Sequence, residues 1–110
     1  LVHEYSGIAT SAPVDVTAQN IANGTTAANN ITTTAATTTA VGDLVFAVAV
    51  DDAGVTTIQA GTNFTVRSSV TDAASEDRVL TTPGSVAGTW TFLAAHRYLA
   101  IMVAFKGAGH

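Results

Sequence analysis

The chain contains no cysteine. That excludes disulfide bonds, thiolate nucleophiles and cysteine-held zinc together. It does not exclude secretion, because a domain of 110 residues can bury a core without covalent staples. Charge is scarce as well: Asp, Glu, Lys and Arg make up 11% of the residues, against about 25% in an average globular chain. The strong bases Arg67, Arg78, Arg97 and Lys106 are scattered. They form no stripe that could neutralise phosphates, which argues against nucleic acid and anionic membrane as partners. No run approaches the roughly 20 apolar residues of a membrane-spanning helix, so no membrane insertion is expected. The longest apolar run, Tyr98 to Phe105, has the length of a strand. No leader pattern is present either, since His3 and Glu4 follow Leu1 almost at once. A secretion signal would have to lie upstream.

Alanine and threonine fill the space those residues leave. With aromatics at 6%, the surface must be built largely from Thr, Ser, Asn and Gly. Such a surface suits a secreted or cell-surface β-module, where Thr sits well on the solvent face of a strand. The composition therefore points to an extracellular or cell-surface location.

The stretch Leu44 to Val50 organises the rest. Its seven apolar residues are punctuated by Gly42-Asp43 before and Asp51-Asp52-Ala53-Gly54 after. One alternate set is large (Leu44, Phe46, Val48, Val50) and the other mostly small (Val45, Ala47, Ala49). This predicts a central strand with its large face on the core and a close-packed second face. Tyr98 to Phe105 repeats the device, with Leu99, Ile101, Val103 and Phe105 alternating with Ala100, Met102 and Ala104. Other strands are expected at 14–19, at 64–71 (the clearest alternation), at 76–82, and from Val86 through Trp90 to Phe92. Asn23-Gly24 is a hairpin signal, Asp72 to Ser75 reads as a turn, and the Thr/Ala run 31–40 reads as a polar edge strand. The predicted core is Leu44, Phe46, Val48, Phe64, Val66, Trp90, Phe92, Leu99, Ile101, Val103 and Phe105. Roughly seven to eight short strands without a helix imply a single domain over 1–110, an all-β, antiparallel, jelly-roll-like sandwich.

Candidate sites are few. His3, His96 and His110 lack metal-ligand spacing. Asp43 with Asp51-Asp52 lacks the order of a calcium loop. Asp72, Glu76 and Asp77 could supply a carboxylate pair for glycoside hydrolysis, but that chemistry needs two carboxyls across a cleft, and solvated strand-edge charge is the simpler reading. No Gly-x-Ser-x-Gly elbow or phosphate loop occurs. Asn23, Asn30 and Asn63 begin N-glycosylation patterns that a Thr-rich chain produces by chance, and the 31–40 run offers hydroxyls for O-linked sugar. Trp90, Tyr98 and Tyr5 could form a sugar-stacking platform, although Trp90 alternates with Val86 and Phe92 as a core residue does. The reading therefore assigns no catalytic, cofactor-binding or metal-binding residue, and no cofactor.

The blocks Val2 to Ala18, Gly42 to Val50, Gly61 to Ser69, Glu76 to Leu80 and Tyr98 to Lys106, together an "HEYSG … DLVF … MVAFK" pattern, resemble a group of bacterial extracellular β-sandwich modules found in large secreted or surface proteins. The resemblance spans most of the chain and implies fold and location, with no catalytic residues. In that group the Glu-Tyr-Ser-Gly block (here Glu4 to Gly7) lies mid-domain. This implies that 1–110 is the C-terminal part of a larger sandwich, its missing strands supplied upstream or by another chain.

Two functions follow as expectations. The first is a non-catalytic structural module, a self-assembling subunit of a surface filament, sheath or adhesin. It would form a homo-oligomer or polymer by strand pairing through the terminal segments 1–7 and 97–110. The alternative is a carbohydrate-binding or other recognition module of a larger secreted or surface protein, with glycans as its ligands.

Overall fold

The computed structural model describes residues 2–20, 28–51 and 58–109. The Asn23-Gly24 turn, the Asn23 glycosylation pattern, Asp52 and His110 lie outside them, as does the side chain of His96. The described residues hold ten strands and no helix: β1 (Val14–Asn20), β2 (Ala28–Thr32), β3 (Ala36–Thr37), β4 (Leu44–Asp51), β5 (Ile58–Ala60), β6 (Thr65–Val70), β7 (Ala73–Val79), β8 (Ser85–Val86), β9 (Thr89–His96) and β10 (Tyr98–Phe105). The excess over the expected number comes from the two-residue strands β3 and β8, which pair only with each other.

All pairings are antiparallel. One sheet has the order β1-β10-β4-β7-β6 and a second has the order β2-β9-β5. The chain passes repeatedly from one sheet to the other, consistent with a β-sandwich. As expected, β4 is central, flanked by β10 and β7.

The core lies on the opposite face from the one the sequence suggests. Val45, Ala47, Ala49, Ala100, Met102 and Ala104 are buried, whereas Leu44, Phe46, Val48, Val103 and Phe105 are half-buried. Leu99 (43% exposed) and Ile101 (51%) face outward. The reason is the partner sheet. Trp90, Phe92, Ile31 and Ile58 project from the three-stranded sheet into the same core. Sheets pack roughly 10 Å apart, so bulky side chains from one layer require small ones from the other. A Cβ on Gly88 would stand 2.9 Å from that of Ala47 and 3.1 Å from the Trp90 ring, which shows how closely the layers approach. Of the predicted core, Trp90 and Phe92 are buried and Phe64 packs against the cluster, while Val66 is 37% exposed.

Three smaller corrections have local causes. A bulge between Val66 and Ser68 breaks the alternation of β6, placing Val66 on the inner face and Val70 on the outer. Strand β7 starts at Ala73 because Thr71-Asp72 makes the turn, with Asp72 at φ +71°. The Thr-rich run is not one strand. Thr33 and Thr38 are buried, and their hydroxyls accept from the Gly88 and Gly84 N–H groups at 3.0 Å. These two threonines stand in for backbone partners where the chain crosses between layers.

Candidate functional site

The outer face of the five-stranded sheet is apolar over much of its area. Register places Phe105, Val103, Ile101 and Leu99 of β10 beside Leu44, Phe46, Val48 and Val50 of β4. Val79, Asp77, Ser75 and Ala73 of β7 continue the face on one side, and Thr17 and Gln19 of β1 on the other. Ten large hydrophobic residues among the described ones are exposed. Six of them, Val14, Val50, Val70, Val79, Leu99 and Ile101, belong to this face by register.

Residues 2–7 cross this face as a strap rather than as the strand end that the alternation of Leu1 to Tyr5 predicts. The strap is anchored by the Ile8–Gly107 bridge and by the Ala108 N–H donating to the Gly7 carbonyl at 2.7 Å. His3 and Tyr5 rest on Phe46, with ring centroids 5.0 and 6.1 Å away. Tyr5 Oη donates to Asp77 Oδ2 at 2.7 Å. Arg67 Nε reaches both Asp77 oxygens at 2.9 Å, so this buried carboxylate is paired. His3 Nε2 and Ser75 Oγ are 2.9 Å apart. Burial, and then the bond to Asp77, pushes the Tyr5 hydroxyl up to about 12. On the β10 side of the strap lies an open groove of about 610 Å³, lined chiefly by Thr17, Gln19, Phe46, Ile101 and Val103.

The Ser75–His3 pair has the spacing of a nucleophile and its base, and sequence reasoning missed it. The surroundings do not suit catalysis. Ser75 is wholly buried, so no carbonyl can approach its oxygen. Asp77, which could orient a histidine, gives its oxygens to Tyr5 and Arg67. The pair fastens the strap.

Of the carboxylates expected at solvated strand edges, Glu76 and Asp77 are buried instead, while Asp72 is half-buried in the turn before β7. Glu76 and Asp77 are neighbours on β7, so they point to opposite faces. Glu76 lies inside, where its oxygens accept from the Gly61 and Thr89 N–H groups, each at 3.1 Å. It thereby clamps β7 to the ends of β5 and β9. A Cβ on Gly61 would overlap Thr89, so only glycine allows this approach. Burial pushes the Glu76 carboxyl up to about 7, although the two N–H donors act the other way. Asp43 and Asp51 stand at opposite ends of β4 and cannot share a calcium ion. No group of three or more potential metal ligands occurs among the described residues. Asp15 accepts from the Thr39 hydroxyl at 2.6 Å and the Thr39 N–H at 2.7 Å, and these bonds hold its carboxyl down at about 2.

Trp90 is a core residue, as its alternation with Val86 and Phe92 indicates, and no aromatic platform forms: Trp90 and Tyr98 are each 2% exposed, and Tyr5, 37% exposed, lies apart in the strap. Asn30 and Asn63 are exposed. Strand β10 is hydrogen-bonded on both edges, so the pairing expected through 97–110 has no free strand edge there. No protein-family model, curated protein or solved structure matches the chain.

Proposed function

We propose that this chain is a non-catalytic, extracellular structural module, a subunit of a surface filament, sheath or adhesin. It joins its assembly by packing the outer face of the five-stranded sheet rather than by pairing the edges of terminal strands. The observation that carries this reading is the concentration of exposed apolar side chains on that face, since contiguous apolar patches of this kind are often interaction surfaces. The low charge and the Thr-rich surface support an extracellular location, as does the resemblance of the His3 to Gly7 and Met102 to Lys106 blocks to secreted sandwich modules. The burial of Ser75, the opposed directions of Glu76 and Asp77, and the enclosure of Trp90 and Tyr98 support a role without turnover or sugar stacking.

The test is the native material. Size-exclusion chromatography and negative-stain imaging are expected to show multimeric particles. Replacing both Leu99→Asp and Ile101→Asp should dissolve them while leaving the circular dichroism of the sandwich unchanged. Particles that survive the double substitution would remove the outer face from any role in assembly.

A further inference from the structure

The outer face has a ridge on one side and a groove on the other, and the boundary between them is Phe46. The strap forms the ridge over Ser75 and Asp77 of β7, and at the Leu44 end of the sheet it crosses to Gly107, where a smaller hollow of about 300 Å³ opens beside it. The groove runs over β10 and β1. Phe46 belongs to both, touching the strap rings and lining the groove. In sheet order the groove side is β1-β10, the boundary is β4, and the ridge side is β7-β6.

Such a face is complementary to itself. A two-fold axis running along β4, in the plane between two facing copies, exchanges the two sides. The strap of each copy then enters the groove of the other. An axis across the strands would set ridge against ridge and is excluded by shape. We propose, building on the reading above, that the occupant of the outer face is a second copy of this chain, packed face to face about an axis parallel to β4.

Charge and area agree with this. An isologous contact brings each residue near its own image at the axis, so like charges there would repel. Along the axis lie Leu44, Phe46, Val48 and Val50 of β4, all uncharged, and Asp77 beside Phe46 is paired with Arg67. Glu4, the charged residue of the strap, would face Thr17 and Gln19 in the partner's groove, whose hydroxyl and amide groups can donate to it. Strands of eight residues (β4 and β10) in a five-stranded sheet give a face of about 500 Å² per copy, or about 1,000 Å² in a pair, where specific interfaces begin. The outward side of the strap also becomes useful: Val2, 95% exposed, would meet the apolar groove of the partner.

The experiment uses sedimentation velocity over a range of concentrations, together with cross-linking, for which a cysteine-free chain is a clean background. The expected result is that the smallest assembly is a reversible dimer of twice the 11.1 kDa chain mass, the unit from which larger particles grow through other surfaces, since a two-fold pair closes on itself. Ile101→Glu should weaken it roughly tenfold or more, because a charge would be buried without a partner. A mixture of Glu4→Cys and Thr17→Cys proteins should form the mixed disulfide in preference to either self-linked product, because the strap of one copy lies in the groove of the other. A dimer indifferent to Ile101→Glu, or a preference for Glu4→Cys self-linkage, would overturn the geometry. A monomer at every concentration would overturn the second copy as occupant. If native particles were still dissolved by the Leu99→Asp, Ile101→Asp pair, that failure would leave the outer face as an assembly surface for another partner.

Discussion

A carboxylate that accepts two backbone N–H bonds is ordinarily held in its charged form. At Glu76 burial outweighs those bonds, and the carboxyl sits at about 7 instead of 4.5. Below pH 4.5 the group is protonated in both folded and unfolded chains. As pH rises from there to about 7, the unfolded chain gives up the proton first. Stability therefore falls across this window, by about 3 kcal/mol, and levels off above it. Asp15 acts in a different window: its contribution is present above 3.8 and is lost as pH falls toward 2. Thermal melts should accordingly show a lower Tm at about pH 8 than at about pH 5, and Glu76→Gln should flatten that difference. An unchanged wild-type Tm would mean that the Glu76 carboxyl is not raised above its ordinary value in the folded protein. Tyr5 extends the logic to alkaline pH. Its hydroxyl bond to Asp77 is present below pH 10 and is lost as pH rises through about 12. Ultraviolet titration should resolve a late phenolate step that Tyr5→Phe abolishes. None of this was legible in the sequence. Glu76 and Asp77 look like ordinary strand-edge charge, and the contacts that bury the outer-face polar groups, Tyr5 with Asp77 and His3 with Ser75, each join residues 72 positions apart.

At the level of the strand, alternation in β4 and β10 located the elements but not their inward side. Both faces of these strands are apolar, so hydrophobicity alone does not choose between them. The choice belongs to Trp90 and Phe92, whose bulk favours the smaller set opposite them, Ala47, Ala49, Ala100 and Ala104 with Val45 and Met102. The face assignment predicts a reversal of the usual expectation. Ala100→Leu adds volume to a filled layer and should destabilise the protein by about 1–3 kcal/mol. Ile101→Thr, a loss of apolar bulk on the next residue, should cost no more than about 0.5 kcal/mol in the monomer. Chemical denaturation of the two variants compares them directly, and the opposite ranking would return the large face to the core. The short elements were harder to read for a related reason. Strands β3 and β8 are held by the Thr38–Gly84 bonds rather than by any periodic pattern. The bulge in β6 makes one alternating run serve two faces.

For the molecule as a whole, the fold class was accessible from sequence because turn formers interrupt strand-length apolar runs throughout. The site was not, because a strap lying on a sheet leaves no spacing signature. The pairing of β1 with β10 has a mechanical meaning too. Val14 lies opposite Phe105, and the chain just outside them continues the contact, with the Ala9 N–H donating to the Lys106 carbonyl and Ile8 bridged to Gly107. A pull applied through both flanks of this pair would load its hydrogen bonds one after another, from Ile8–Gly107 inward, as in peeling rather than shearing. Bonds broken singly resist little force. A row of such modules stretched along its own backbone would therefore open at low tension. A fibre built from them would have to carry load sideways, from one sheet face to the next.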